Sequence, residues 1–179
     1  MKTEIRIAGL GGQGVILAGY ILGKTATIYQ NKHATLTQSY GPESRGSACS
    51  ACVIISDEEI FYPHLTNTDV GIFMSQDGYH KFNREAKDSA LLFLDSDLVK
   101  PEEKDAGKLL FIPATQIAEK LGKKIVANMV ILGFLARHSG IVTLEALREA
   151  VGSIVSKKHL ELNLKALYQG YNYQVEKVR

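Results

Sequence analysis

Tryptophan is absent from this 179-residue chain, and cysteine occurs only twice. Two cysteines cannot build a disulfide framework, nor supply the four thiolates an iron–sulfur cluster usually takes. No run of 18 apolar residues exists, which excludes a membrane-spanning helix. The start, Met1-Lys-Thr-Glu-Ile5, lacks the basic region, apolar stretch and cleavage site of a signal peptide, so a cytoplasmic location is expected. Charge of one sign is also missing. Twenty-one basic against 19 acidic side chains leave +2, spread too evenly to make an electrostatic footprint for nucleic acid. No internal repeat or low-complexity segment appears.

What is present is ordinary soluble composition, 45% hydrophobic and 22% charged, at the length of one domain spanning 1–179. Glu4–Ala8 alternates as a strand and runs into Gly9-Leu-Gly-Gly-Gln-Gly14, after which Val15–Tyr29 carries a helical pattern. A second strand is expected near Ala34–Thr37 and a third at Ala48–Ile55. The turn at Ser56–Glu59 would then send a return strand through Ile60-Phe61, making a hairpin. Val70–Met74 and Ala90–Leu94 read as buried parallel strands around a helix within Asp77–Lys87, and Leu109–Ile112 as a further short strand. Helical patterns follow at Thr115–Leu121, Lys124–His138, Leu144–Val155 (with Thr143 as N-cap) and Lys157–Tyr173. The fold class is therefore α/β: a mostly parallel open sheet with a Rossmann-like first βαβ unit, a hairpin insertion and a helical C-terminal layer.

Gly9, Gly11 and Gly14 match a dinucleotide-binding fingerprint in its proper strand–turn–helix setting, where free N–H groups and a helix dipole suit a phosphate. The acidic residue that would hold the ribose of NAD about 20 positions later is missing from His33–Gln38. Lys32 or His33 keeps an NADP-binding, stand-alone reductase open as an alternative. A second alternative is that the glycines merely let the helix pack. A P-loop is excluded, because Ala18 stands where its first glycine belongs.

Cys49 and Cys52 enter a strand, where positions three apart face opposite sides, so both read as small packing residues. His138 ends a helix, where a cation is favourable. The least generic stretch is the polar loop Ser39, Tyr40, Gly41, Pro42, Glu43, Ser44, Arg45, Gly46. It places a carboxylate, a hydroxyl and a guanidinium fork suited to carboxylate or phosphate side by side.

The glycine turn and this loop together resemble the gamma subunit of 2-oxoacid:ferredoxin oxidoreductases, most like the 2-oxoglutarate type. Asn128-Met-Val-Ile-Leu-Gly133 and Asn163 with Gly170-Tyr171 match the same family's habits. The family usually has a second glycine where Ser47 stands and rarely has cysteine at 49 and 52. The resemblance implies a chain inert by itself, working with alpha, beta and delta subunits that pass electrons to ferredoxin. The complex oxidatively decarboxylates a 2-oxo acid to an acyl-CoA. Thiamine diphosphate, magnesium and the iron–sulfur clusters would lie on those partners. This chain would contribute at most a coenzyme A contact and hold no metal. Gly9, Gly11, Gly12, Gln13 and Gly14 become the candidate ligand-binding residues, with backbone amides turned to a phosphate or a partner loop. The loop around Glu43 and Arg45 would act at a subunit junction. Self-association of the isolated chain is a further expectation.

Overall fold

In a computed structural model, residues 1–39, 48–102 and 108–175 are described. Strand β1 (Lys2–Leu10) leads through the glycine turn into α1 (Val15–Lys24). A π-helical turn at Thr25–Tyr29 continues α1, and the hydroxyls of Thr25 and Thr27 bond back to the carbonyls of Ile21 and Gly23. Next come β2 (His33–Ser39), β3 (Ala48–Ser56), β4 (Thr68–Phe73), α2 (Gln76–Phe82), β5 (Ala86–Asp95) and β6 (Lys108–Ile112). Four helices close the chain: α3 (Ala114–Lys120), α4 (Ala127–Ser139), α5 (Leu144–Ile154) and α6 (Lys157–Asn172).

The strands form one sheet in the order β2-β3-β1-β4-β5-β6. The β1–β4, β4–β5 and β5–β6 pairs are parallel, while β3 runs antiparallel to both of its neighbours. The α/β class and the helical C-terminal layer are thus as the sequence pattern indicates. The hairpin is not. Its strands are β2 and β3, joined across 40–47, and Ile60-Phe61 forms no strand; Phe61 is 90% exposed. Two apolar residues at a turn mimic a strand start, but nothing alternates after them to bury a face. The first βαβ unit carries the same imprint: β2 points along β1 but is held one strand away by β3.

One face of the sheet buries the larger core beneath α1, α4 and α5, with Ile5, Ile7, Val53, Ile72 and Phe93 as its floor. The other carries a smaller cluster of Ala8, Phe73, Tyr79, Phe82 and Leu92 beneath α2. Helix α4 is buried continuously from Ala127 to Ala136, so it is apolar all round rather than striped. It lies between the sheet, where Phe134 meets Phe93 edge-on, and α6. Where α4 crosses α6, a Cβ on Gly133 would strike the Leu167 carbonyl, and one on Gly170 the Val130 carbonyl. Two glycines therefore let the backbones touch.

Local details follow the same chemistry. Thr143 caps α5 by accepting from the Ala146 amide at 3.2 Å. Cys49 faces the larger core, Cys52 lies on the opposite face beside Arg6, and both are free and buried. Burial pushes the Cys49 thiol up, away from the reactive thiolate. His138 departs from expectation. Its ring packs on Phe134, and burial, with Arg137 and Lys108 nearby, depresses its pKa, so desolvation outweighs the helix-end preference for a cation.

Candidate functional site

The glycine turn sits at the carboxyl ends of β1 and β4. Gly12 and Gly14 adopt φ of 98° and 73°, a region costly to residues with a Cβ. Gln13 braces the turn. Its Oε1 accepts from the Leu10 amide at 2.6 Å, and its Nε2 donates to the Met74 carbonyl at 2.7 Å. Its own amide donates to the Leu10 carbonyl at 3.1 Å. On the far side Asn128, buried at the start of α4, donates to the Gly14 carbonyl at 3.3 Å. A Cβ on Gly9 would meet Gln13 Oε1 at 2.6 Å. Of the five predicted turn residues, Gly9, Gln13 and Gly14 are therefore committed to holding the turn's shape.

Gly12 is different, since nothing lies within 4 Å of where its Cβ would be. Together with Gln13 it lines a cleft of about 240 Å³ whose other walls are Met74, Thr115, Lys124 and Ile125. Helix α1 starts at this turn with no side-chain cap on its first amides. Lys124 sits at the mouth, half exposed and only loosely paired with Glu119 at 3.8 Å. Open backbone at Gly12 and the Lys124 ammonium group make the cleft attractive to an anion, and the positive end of the α1 dipole begins three residues beyond Gly12.

Thr115 is held in the wall by Asp95. Thr115 donates to one carboxylate oxygen from its amide at 3.1 Å and from its hydroxyl at 2.6 Å, and the Asp97 amide donates to the other at 3.2 Å. Burial raises the Asp95 pKa, against the opposing pull of these hydrogen bonds. Lys124, Thr115 and Asp95 belong to no sequence motif. The only sequence signal was a carboxylate ending the apolar run Ala90–Leu94, since a buried charge at a strand's carboxyl end has to be held by something.

Of the predicted loop, Tyr40 to Gly46 lie outside the described residues; Ser39, at the end of β2, is exposed. The register nevertheless fixes where the loop is attached. Ala48, its exit, stands opposite Leu10, and Ser39, its entry, opposite Ser50. The loop thus leaves and rejoins the sheet at the same edge as the glycine turn. Lys32 and His33 do not. His33 is registered with Ser56, which pairs with Lys2 at the other end of the sheet, and Lys32 lies 3.6 Å from Asp57. Neither is placed to meet a nucleotide whose phosphate rests on the glycine turn.

Among the described residues no cluster of three histidine, cysteine or carboxylate side chains could hold a metal. The two cysteines, on opposite faces of the sheet, cannot converge on a cluster iron. No helix there is long and apolar enough to cross a membrane.

These features define an open α/β domain with a cleft at the carboxyl edge of its sheet, beside the glycine turn. Residues 4–173 match the family model for pyruvate ferredoxin/flavodoxin oxidoreductase. The chain is 42% identical to the 2-oxoglutarate synthase subunit KorC of Methanocaldococcus jannaschii, over 98% of this chain and 96% of that one. It superposes on the keto/oxoacid ferredoxin oxidoreductase gamma subunit of Geobacter sulfurreducens with a TM-score of 0.87 and 38% identity, covering 96% and 95% of the two chains. The fold also recurs, with a TM-score of 0.85 and 22% identity, in 30% of a chain of the Magnetococcus marinus 2-oxoglutarate:ferredoxin oxidoreductase. That structure holds 2-oxoglutarate, coenzyme A and succinyl-CoA and spans 94% of this chain. The present chain therefore belongs to the pyruvate ferredoxin/flavodoxin oxidoreductase family, as a gamma-type subunit of a 2-oxoacid:ferredoxin oxidoreductase.

Proposed function

We propose that this chain serves a complex that converts 2-oxoglutarate, coenzyme A and two oxidised ferredoxins into succinyl-CoA, carbon dioxide, two reduced ferredoxins and a proton. Its role there is to hold coenzyme A by a phosphate. The single observation that carries this reading is the cleft between Gly12 and Lys124, which joins open backbone and a positive charge beside the attachment of the Glu43–Arg45 loop. The name of the methanogen relative supports 2-oxoglutarate as the oxo acid. Alpha, beta and delta subunits carry thiamine diphosphate, magnesium and the iron–sulfur clusters, and ferredoxin docks on the assembly. The chain's own residues perform no bond-making. Asp95 keeps Thr115 in place, Gln13 keeps the turn in shape, and Lys124 with the open backbone at Gly12 offsets phosphate charge. Glu43 and Arg45 act at the junction with a neighbouring subunit.

Lys124→Ala in the assembled complex tests this. The KM for coenzyme A should rise several-fold, in keeping with about 1 kcal/mol or more for a charge-assisted contact, while the KM for 2-oxoglutarate stays put. An unchanged KM for coenzyme A contradicts the phosphate role.

A further inference from the structure

We propose that the outer face of α1 is the docking surface for an acidic, apolar-bearing segment of another subunit of the complex. This rests on the reading of the chain as part of such a complex. Seven large apolar residues are markedly exposed among those described, and four of them, Leu17, Tyr20, Ile28 and Ile125, fall on one run. Leu17, Tyr20 and Lys24 follow at intervals of three and four along one face of α1, and Ile28, in the π-helical turn that continues it, borders the same cleft as Tyr20 and Lys24. Ile28 is 64% exposed and Tyr20 51%, so two large apolar side chains stand on either side of Lys24 with their surfaces open to solvent.

The face is grooved as well as apolar. At one end Leu17 and Ile125 border a cleft of about 300 Å³ that runs toward Val155 and Leu162. At the other, Tyr20 and Ile28 border one of about 310 Å³ floored by Ala34 and Leu36 of β2, the edge strand of the sheet. Ile125 also borders the cleft at the glycine turn, so the docking face is continuous with the candidate ligand site.

Charge decides what occupies it. Lys123, Lys24 and Lys124 line the three clefts in turn, and no carboxylate among the described residues lines any of them. A second copy docked through the same face would bring lysine against lysine, whereas a chain with carboxylates flanking its apolar side chains meets complementary charge. The occupant is therefore a different, acidic polypeptide.

Tyr20→Glu with Ile28→Glu tests the surface, because both side chains are exposed and neither is part of the core. The variant should melt at the wild-type temperature as an isolated chain. Co-expressed with the remaining subunits, it should assemble at least about tenfold more weakly, the scale of losing a buried aromatic anchor. Lys24→Glu should weaken assembly in the same direction, and added salt should weaken wild-type assembly. Phe61→Glu, on an exposed connection elsewhere, should leave it unchanged. Carbodiimide crosslinking of the wild-type complex should join Lys24 or Lys123 to an acidic residue of another subunit. Wild-type assembly affinity in the double variant overturns the proposal, as does a crosslink between two copies of this chain. If the wild-type chain itself joins no such subunits, the functional reading falls and takes this surface with it. If it assembles and the double variant assembles equally well, the surface alone falls.

Discussion

Asn128 and Gly14 lock the glycine turn to the buried helix α4: the Asn128 amide nitrogen donates to the Gly14 carbonyl at 3.3 Å while its oxygen accepts from the Met129 amide at 2.8 Å. Gly14 has no room for a side chain, since a Cβ there would collide with the same amide, and its φ of 73° disfavours one in any case. Gly14→Ala should therefore destabilise the fold by about 2 kcal/mol or more, the left-handed conformation alone accounting for about 1–2. Asn128→Ala should cost about 1–3 kcal/mol, from a buried amide left unpaired. The double variant should lose less than the sum, because removing the Asn128 side chain relieves the collision but not the φ strain. Urea unfolding of the four proteins measures the cycle.

The contact of α4 with α6 makes a sharper demand. Ala at Gly133 or at Gly170 drives a methyl group into a backbone carbonyl that cannot step aside without moving a helix. Each should cost about 3 kcal/mol or leave the chain unable to fold. Gly152 in α5 is the internal control, exposed and with nothing near its absent Cβ. Gly152→Ala should stabilise by about 0.5–1 kcal/mol from helix propensity. Thermal or urea unfolding of the three variants separates close packing from propensity.

The buried carboxyl of Asp95 predicts a pH dependence. Burial raises its pKa in the native state above the unfolded value, so the native state holds that proton more tightly. Its contribution to stability is then fully present below the ordinary aspartate range and declines as pH rises through the raised native value, levelling off above it. Asp95→Asn removes the titration. The stability difference between wild type and variant should narrow or turn against wild type across this window and be flat above it, as unfolding titrations at a series of pH values would show.

Much of this architecture can be read from residue patterns. Continuous apolar runs at Val70–Met74 and Ala90–Leu94 are parallel strands because both of their faces are covered. The Cys49–Cys52 spacing places the sulfurs apart because a strand has period two. The pattern fails where long-range pairing decides. Nothing local says that β3 inserts between β1 and β2, so Ser56–Glu59 reads equally well as a hairpin turn. Similarly, Lys124 and Thr115 meet Gly12 only because β5, β6 and α3 bring the chain back across the carboxyl edge of the sheet. A glycine motif marks half of such a site, and the residues that return to it carry no motif.

That same topology argues against NADP on the glycine turn. With His33 and Lys32 at the edge opposite to the glycine turn, the basic residues that would favour NADP cannot reach its ribose phosphate from the turn. Calorimetric titration of the isolated chain with NADPH or NADH should give no binding heat. A saturable heat with either would show that the turn serves a nucleotide after all.

This chain acts on a 2-oxo acid only as one subunit among several, on the function proposed above. The direct measurement is to tag the chain in its native host, isolate what binds to it, and follow ferredoxin reduction with coenzyme A and either 2-oxoglutarate or pyruvate. A multi-subunit assembly that reduces ferredoxin with 2-oxoglutarate in preference to pyruvate is expected, with no turnover by the chain alone. A chain that purifies free of partners, or one that turns over an oxo acid by itself, would contradict it.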